Sequence, residues 1–433
     1  MLPIQTWAAQ DTTATDLTPE MLDTTEIKTS TNAKIIAENI EKRTEYSKEY
    51  QLSNGLRMAT VYADPIHYNT KNGWEEIDNT LTLKTDGSYG NTAGVWDVRL
   101  PQQLSQNKAV TISKDGYTLS FRLTGELCNS GDLAIASIQE GETEKTAVTA
   151  TRTSIAAVQK IDQSALRASV KYPETVSEKL QSGLLYANVF QNTSIRYDLD
   201  SNRVKESIII DSYRAALRGY RYALNVGDMV PVLEEDGQIT LYAPDRKTVI
   251  MVMPAPYLVD AGEEFNDDIQ VQLSGSGSTY MLTYLLPTQW LAEEERQWPV
   301  ILDPVVSASK LKANIQDVTV SEGKTYSHKW GMIQCGYSET YGLSRCYIKY
   351  NELPALTSSD VVLGATLSLY KHNDNTALIQ IDAHKVNTTW TDEGMVWSNK
   401  PSYNTAVEDF IIVDDEGYHT WQITDVVRDW YAN

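Results

Sequence analysis

Residues 46–62 read "YSKEYQLSNGLRMATVY", with apolar and aromatic side chains at alternate positions on both sides of Asn54-Gly55. An alternation with a period of two is the pattern of a half-buried β-strand. Asn-Gly supplies the positive φ angles that a tight hairpin turn requires. The stretch therefore predicts two antiparallel strands joined by a short turn.

The same pattern recurs along the chain. Turn pairs interrupt alternating segments in "HYNTKNGWEEID" (67–78), "ISKDGYTLSFRL" (112–123) and "EEDGQITLYA" (234–243). Short alternating strands separated by turn signals are typical of antiparallel sandwiches and barrels. The predicted fold class is all-β, with an antiparallel β-sandwich-rich N-terminal region and a C-terminal jelly-roll-like β-sandwich module.

The charge balance argues against some partners. The chain of 433 residues carries 58 acidic and 37 basic side chains, a net charge of −21. Nucleic acids and anionic membranes are bound through clustered Lys and Arg, and the sequence has no basic block. We therefore expect no nucleic-acid partner. No apolar run approaches the ~20 residues that a membrane-spanning helix needs, so no membrane span is expected.

The chain divides into three predicted regions. Residues 1–45 form a leader that is partly disordered or contains one short helix in "AKIIAENIEKR" (33–43). The first residues of this leader resemble the end of a signal peptide. Residues 46–306 form a β-rich domain, in one or two subdomains, with an irregular excursion at 139–182. Residues 307–433 form the C-terminal module. The expected location is extracellular, associated with the cell wall.

The C-terminal module resembles the DNRLRE-type modules, which are carbohydrate-binding-like β-sandwiches. The matching stretches are "DVTV" (317–320), "RCYIKY" (345–350) with Leu353-Pro354, "ATLSLY" (365–370), Trp390 through Trp397 with Pro401, and "WQITDVV" (421–427) with Trp430-Tyr431. Modules of that type continue past the last of these, so the resemblance implies a C-terminally incomplete sandwich and a larger polypeptide.

The N-terminal region is similar to the segment that precedes such modules in secreted wall-associated proteins, including the RHS/YD-repeat proteins of Gram-positive bacteria. The matching stretches are "HYNTKNGWEEIDNTL" (67–81), "LLYANVFQNTSIRYDL" (184–199), "VKESIII" (204–210) and "WPVILDPVV" (298–306). From this resemblance we expect Asp198 and the Lys205-Glu206 pair to form a buried or half-buried ion pair.

Catalytic signals are weak. The sequence has no Gly-x-Ser-x-Gly elbow, and its five histidines are scattered singly. The acidic clusters at 75–78, 263–268 and 293–295 are typical of solvated surface. Glycosidase carboxylates must lie ~5–10 Å apart across a cleft, which sequence clustering does not establish. We therefore expect that the protein is not an enzyme and has no catalytic residues.

Two tryptophans stand out in "TTWTDEGMVWSNKP" (388–401). Trp390 and Trp397 either fill the core of a sandwich or stack on sugar rings, and their seven-residue spacing allows both because Asp392-Glu393-Gly394 interrupts the strand. If the module binds a glycan, aromatic side chains in loop-like stretches are the better candidates. These candidates are Tyr337, Tyr341, Tyr403 and Tyr418.

Cys335 and Cys346 flank "GYSETYGLSR". A hairpin centred at Thr340–Tyr341 places them opposite each other, at a spacing that permits a disulfide. Two free thiols are the alternative, and Cys128 is unpaired in either case. The sequence has no CxxC and no Cys/His spacing for zinc. We therefore expect no metal site and no cofactor, apart from an optional structural Ca²⁺ in an acidic loop.

These observations predict a secreted, cell-surface or wall-associated, non-catalytic protein that binds cell-wall or extracellular polysaccharide through residues 307–433, as in adhesion. A structural stalk or encapsulating segment of a larger secreted RHS/YD-repeat or adhesin protein is the alternative. A polysaccharide-degrading enzyme is a third and weaker alternative.

Overall fold

The structure is a computed structural model. It describes residues 4–9, 35–104, 108–129, 133–134, 179–180, 182–201, 203–262, 264–308, 314–325, 327–328, 333–339, 341–371, 378–413 and 417–432. The irregular excursion expected at 139–182 lies almost entirely outside the described residues.

The described residues are predominantly β-strand. The strands of the first half are β1 (Ile4–Ala9), β2 (Ile35–Glu38), β3 (Ser47–Leu52), β4 (Leu56–Val61), β5 (His67–Thr70), β6 (Gly73–Glu76), β7 (Thr82–Leu83), β8 (Tyr89–Gly90), β9 (Asp97–Leu100), β10 (Val110–Lys114), β11 (Tyr117–Cys128), β12 (Leu133–Ala134), β13 (Ser182–Phe190), β14 (Thr193–Leu199), β15 (Arg203–Ile210) and β16 (Leu217–Asn225). Those of the second half are β17 (Val230–Leu233), β18 (Ile239–Tyr242), β19 (Val249–Met253), β20 (Tyr257–Val259), β21 (Phe265–Asn266), β22 (Gln270–Ser276), β23 (Thr279–Leu285), β24 (Val300–Asp303), β25 (Val305–Ala308), β26 (Ile315–Ser321), β27 (Ser327–His328), β28 (Gly336–Ser338), β29 (Gly342–Tyr350), β30 (Val361–Lys371), β31 (Ile379–Ala383), β32 (Asp409–Val413) and β33 (Gly417–Gln422).

Helices are few and short in this part of the chain. The α-helices are α1 (Thr288–Leu291) and α2 (Thr424–Ala432), and single 3-10 turns span Ile40–Lys42 and Trp397–Asn399. None of the helices in the described residues has the length and hydropathy needed to span a lipid bilayer. The predicted all-β, antiparallel fold class is confirmed.

The turn chemistry explains the hairpins. Asp115 and Gly116 have φ angles of +52° and +83°, and Lys114 pairs directly with Tyr117 across them. Positive φ at both central residues is what a two-residue hairpin turn of the I′ type needs. The other turn pairs found in the sequence connect β3 to β4, β5 to β6 and β17 to β18. The prediction from the turn residues is confirmed.

The described residues form two compact units. Unit 2 holds the described residues between Glu76 and Ala308, and unit 1 holds those up to Glu75 and from Asn314 onward. The strands β3 and β4 therefore belong with the C-terminal residues and not with the central region. The predicted domain boundaries, 1–45, 46–306 and 307–433, stay a prediction.

Unit 2 contains two large sheets. One has nine strands in the order β22-β23-β16-β11-β10-β9-β8-β7, with β12 beside β11. The other has ten, in the order β17-β18-β19-β25-β15-β24-β20-β21, with β14 and β13 joined to β15. Side chains from both sheets share one apolar core, in which the rings of Phe121 and Tyr197 lie 6.2 Å apart. Two sheets that bury their inner faces against each other make a sandwich.

Polar groups enter this core on β15. Glu206 is buried and accepts a hydrogen bond from the hydroxyl of Tyr197, its direct partner on β14. Lys205 faces the other side of the sheet and forms an ion pair of 2.7 Å with Asp303, while Asp198 pairs with Arg196. Asp198 lies directly opposite Lys205 in the ladder, on the same face of the sheet. The expectation of a buried or half-buried ion pair therefore holds for Asp198 and for Lys205, each with another ion-pair partner. It does not hold for Glu206, which faces the core because neighbouring residues on a strand point to opposite faces.

Unit 1 is built from four smaller groups of strands, one of which is the hairpin of β5 and β6. Its largest sheet has the order β2-β3-β4-β1-β30-β33, a second has the order β27-β26-β29-β28, and β31 pairs with β32. Val61 of β4 lies in the same apolar core as Val362, Trp421 and Val427. The backbone N–H of Asn314 donates to the carbonyl of Ala63 at 2.7 Å. Distant parts of the sequence therefore share one core.

The leader differs from its prediction. Ile35–Glu38 form the strand β2, beside β3, and only Ile40–Lys42 take a single 3-10 turn. The expected short helix in "AKIIAENIEKR" is wrong, because pairing with β3 overrides the local helical preference of this segment. Residues 424–432 form α2, which buries Val426 and Val427.

Candidate functional site

The strand β29 presents a row of polar and aromatic side chains on one face. Arg345, Tyr347 and Lys349 are two residues apart and share that face, because successive side chains of a strand alternate. Val320 and Val318 on β26 pair directly with Arg345 and Tyr347. The apolar part of this face forms a small core of Val318, Val320, Tyr347 and Met395.

Both tryptophans of residues 388–401 pack against this small core. Trp390 and Trp397 are half-buried, and the ring of Trp390 lies edge-on to Tyr347 with centroids 6.0 Å apart. Lys349 donates from Nζ to the carbonyl of Trp390 at 3.1 Å and lies 5.2 Å from its ring. Packing against Tyr347 and Lys349 therefore explains much of the position of the Trp390 side chain.

Trp397 stands at the centre of a charged surface. The guanidinium carbon of Arg345 lies 5.3 Å from the Trp397 ring centroid and 5.0 Å from that of Tyr403. Lys400 places Nζ 4.0 Å from the Trp397 ring and donates to the Trp397 carbonyl at 2.8 Å. All these distances lie within the ~6 Å range of a cation–π contact. We call Arg345, Trp397, Lys400 and Tyr403, with His384, the cation–aromatic cluster.

His384 completes the cluster beside Tyr403. Its ring centroid is 5.0 Å from that of Tyr403, and its Nδ1 lies 3.0 Å from the carbonyl of Asn404. A backbone bridge between Val386 and Tyr403 holds the two loop segments together. The cluster thus joins β29 to the loop that follows β31.

The electrostatics of the cluster are those of a cation pair. Burial, followed by the positive charge of Arg345, lowers the pKa of Lys400. No carboxylate of the described residues forms an ion pair with Arg345, Lys349 or Lys400. An anionic group bound between Arg345 and Lys400 would relieve their mutual repulsion. The carboxylate of Glu322 acts on the pKa of Lys400 in the opposite sense, as the third and smallest cause, without forming an ion pair.

The candidates from the sequence fall in three places. The surface just described includes Tyr403 and Trp397. It also includes Trp390, whose ring contacts that of Tyr347. Tyr337, which is 77% exposed, and Tyr341, which has the Lys324 ammonium 5.0 Å from its ring, lie on the hairpin of β28 and β29. Tyr418 packs on Tyr370 in the six-stranded sheet, with ring centroids 5.1 Å apart. The ligand-binding role of these residues stays a prediction.

The cations of the cluster were not among the candidates predicted from the sequence. Lys400 follows Trp397 by three residues, and residues three apart stack in a 3-10 turn, so the spacing contained a usable signal. Arg345 and Lys349 alternate with Tyr347 on a strand, which also could have been read. The contact of Arg345 with Trp397 and Tyr403, more than 50 residues away, is set by the tertiary fold.

The cysteines of β28 and β29 do not sit as predicted. Gly336 pairs with Ser344 and Ser338 with Gly342, so Cys346 faces the position of Gln334. The predicted direct opposition of Cys335 and Cys346 is therefore wrong by one residue. Both cysteines, and Cys128, are free thiols in the structure. The disulfide stays a prediction.

Metal ligands are sparse in the described part of the chain. It contains no group of three or more His, Cys, Asp or Glu side chains placed to hold a metal ion. The expectation of an optional structural Ca²⁺ stays a prediction, as does that of no cofactor.

The comparisons with known proteins bear first on the C-terminal residues. Residues 308–433 match carbohydrate-binding module family 96. This region includes the cation–aromatic cluster. No solved structure matches the chain. The finer resemblance to the DNRLRE type stays a prediction.

Relatives match a much longer stretch. The chain is 22% identical over 412 residues, 90% of its length, to the tRNA nuclease WapA of Bacillus subtilis (strain 168) and to the tRNA(Glu)-specific nuclease WapA of Bacillus subtilis subsp. natto. It spans only 16% of the length of those relatives. It is also 21% identical over 238 residues to a wall-associated protein of Geobacillus stearothermophilus, covering 54% of this chain and 79% of that protein.

These relatives correct two expectations. The expectation that the protein is not an enzyme is overturned, since relatives matched over 90% of the chain are named tRNA nucleases. The expectation that nucleic acid is not a partner is no longer supported, because these relatives are named for an activity on tRNA. A missing catalytic motif could not carry a negative conclusion, because catalytic groups often come together only in the fold. Carbohydrate binding is the property for which the matched module family is named, and wall association is the property for which the Geobacillus relative is named.

Proposed function

We propose that this chain is a secreted, wall-associated segment that binds an anionic polysaccharide through the cation–aromatic cluster. The observation that carries the proposal is the presence of Arg345 and Lys400 beside the rings of Trp397 and Tyr403, without a carboxylate partner in the described residues. Aromatic rings offer apolar faces to sugar rings. Arginine binds carboxylates and phosphates with two parallel hydrogen bonds.

The charge of the cluster selects the ligand class. A neutral glycan would leave the repulsion between Arg345 and Lys400 in place, whereas a uronate or phosphate group would neutralise it. The acidic remainder of the chain repels polyanions, so the cluster provides a local exception. Binding should therefore weaken with increasing ionic strength, since exposed charges are screened beyond about 10 Å at 0.1 M salt.

The test compares matched variants of the whole chain. Titration calorimetry would measure binding of a uronate polysaccharide and of a neutral polysaccharide of similar length to wild type, Arg345→Ala, Lys400→Ala and Lys42→Ala. Loss of a hydrogen bond to a charged group costs about 1.5–3 kcal/mol, which corresponds to roughly 10- to 100-fold weaker binding for the two cluster variants. Lys42 is an exposed lysine of the same unit, and its variant should bind like wild type.

The outcomes separate the alternatives. Equal affinity of the cluster variants and wild type would place the site elsewhere. Equal binding of neutral and anionic polysaccharide would remove the role assigned to charge. A melting curve for each variant distinguishes lost binding from lost folding.

A second candidate function rests on the names of the relatives. We propose that a protein containing this chain acts on tRNA, as three relatives are named to do. Incubation of tRNA with the chain and with the full gene product would test this on denaturing gels. Cleavage by either supports the proposal, and intact tRNA with both contradicts it. Aromatic rings beside cations also suit single-stranded nucleic acid, so tRNA belongs in the binding assay as well.

A further inference from the structure

Cys335 and Cys346 lie where β28 begins beside β29. The ladder pairs Gly336 with Ser344, which puts Cys346 on the same face as position 334. If β28 continued regularly toward the N-terminus, Cys335 would point to the opposite face from Cys346. Two thiols on opposite faces of a sheet could not react with each other.

Gly336 removes that obstacle. Its φ angle of +114° is one that residues with a side chain rarely adopt, so the chain changes direction immediately before the ladder. Two hydrogen bonds fix the redirected segment. The Gln334 N–H donates to Thr319 Oγ1 at 2.9 Å, and the Cys346 thiol donates to the Gln334 carbonyl at 2.9 Å. As a result, the Cys346 thiol lies against the peptide group that joins Gln334 to Cys335, which brings the two cysteines together at the start of β28.

The two thiols differ in access. Cys335 is exposed, whereas Cys346 is half-buried and pairs across the sheet with the fully buried Thr319. The neighbouring Cys346 side chain lowers the pKa of Cys335, whereas the Cys335 side chain and burial both raise the pKa of Cys346. The attacking form of a cysteine is the thiolate. Exposure and thiolate character therefore both favour Cys335 as the sulfur that meets a reagent.

We propose that Cys335 and Cys346 are a redox modification site that reacts with external disulfides in a fixed order. The Cys335 thiolate attacks one sulfur of a small disulfide R–S–S–R, forming a mixed disulfide and releasing one thiol R–SH. Cys346 then gives up its proton and attacks the Cys335 sulfur, releasing the second R–SH and closing the Cys335–Cys346 bond. The external disulfide is reduced by two electrons, and the cysteine pair is oxidised by two.

The site lies next to the cation–aromatic cluster without belonging to it. Arg345 immediately precedes Cys346 and points to the other face of β29. The proposal does not depend on the proposed polysaccharide function, since it concerns only the reactivity of two thiols.

The test follows the order of reaction in a Cys128→Ser background, which removes the third thiol. Oxidised glutathione is the probe, and intact mass with peptide mapping is the measurement. The background protein should lose two hydrogens and yield a 335–346 cross-linked peptide. Adding Cys346→Ser should trap one glutathione on Cys335, and adding Cys335→Ser should slow the reaction at least about tenfold, because the remaining thiol is half-buried and weakly acidic.

Two results would overturn the proposal. One is a Cys335→Ser protein that takes up glutathione as fast as the Cys346→Ser protein, which would remove the assigned order. The other is a background protein in which glutathione stays on Cys335 while Cys346 remains reduced. Peptide mapping of the background protein needs no change at either cysteine, so misfolding of a serine variant cannot hide the outcome.

Discussion

Replacing Glu206 with glutamine should remove a pH dependence from the stability of unit 2. The Glu206 carboxyl is buried in the sandwich core and accepts a hydrogen bond from Tyr197. The pocket beside it, lined by Tyr222 and Tyr284, has a volume of about 10 Å³, at the lower limit for one water molecule. An ionised carboxylate there is poorly solvated.

The magnitude follows from the pKa. Burial raises the pKa of Glu206 from 4.5 to about 7. Below pH 4.5 the carboxyl is protonated in both the folded and the unfolded chain, and its contribution to stability is fully present. Between pH 4.5 and 7 only the unfolded chain ionises, so the free energy of unfolding falls by about 1.4 kcal/mol per pH unit. Above pH 7 the loss is complete, at about 3 kcal/mol.

Glutamine keeps the shape and the acceptor for Tyr197 but cannot ionise. Urea unfolding read by hydrogen exchange of peptides from β14, β15 and β16 reports on unit 2 alone, which matters because two units need not unfold as one. The stability of Glu206→Gln relative to wild type should rise by about 3 kcal/mol from pH 4.5 to 7.5. The matched control is Glu235→Gln, an exposed glutamate of the same unit. If the free energies of unfolding of Glu206→Gln and wild type differ by the same amount from pH 4.5 to 7.5, the reasoning is refuted.

Three further predictions concern other buried or half-buried groups. Burial lowers the pKa of His67 from 6.5 to about 4. The contribution of His67 to stability is therefore present above pH 6.5 and is lost as the pH falls through 4. Acid melts of unit 1 should show a decrease of about 3 kcal/mol in the free energy of unfolding in wild type but not in His67→Gln. Lys205→Met should lower the free energy of unfolding by about 3–5 kcal/mol because it leaves the buried Asp303 without its cation. A loss of stability no larger than that of the exposed control Lys247→Met would show that the ion pair does not contribute to stability. Trp390→Ala should lower the melting temperature, at a cost of about 3 kcal/mol, with any loss of glycan binding following unfolding; full stability with lost binding would make Trp390 a sugar platform instead. For this last variant, binding is measured at a temperature well below the melting transition.

The sequence was most informative where the determinants are local. Asp115-Gly116 specified a turn through the φ angles that these two residues tolerate, and the strands on either side followed from their alternation. The burial of Trp390 and Trp397 was one of two open readings, and contacts with the core of Val318 and Met395 favour packing for Trp390. These features depend on residues close together in the chain.

Features that depend on distant residues were not predictable in the same way. Ile35–Glu38 became a strand because β3 offered an edge to pair with, against the helical appearance of the segment. The partner of Lys205 is almost 100 residues away, at Asp303. The approach of Cys335 to Cys346 depends on the backbone angle at Gly336, which a hairpin count cannot anticipate.

The discontinuity of unit 1 has a consequence for how the chain folds. Val61 and Ala63 find their partners among residues 314–427, so all of unit 2 lies in the intervening loop. Closing a long loop costs entropy that grows with the logarithm of its length, and a unit 2 that has already folded shortens the flexible part. During synthesis the hairpin of β3 and β4 is made first, and the apolar side chain of Val61 stays exposed to water until β30 and α2 have been synthesised. A fragment of residues 308–433 would lack this hairpin, so in isolation it should expose part of the apolar core that Val61 covers in the whole chain.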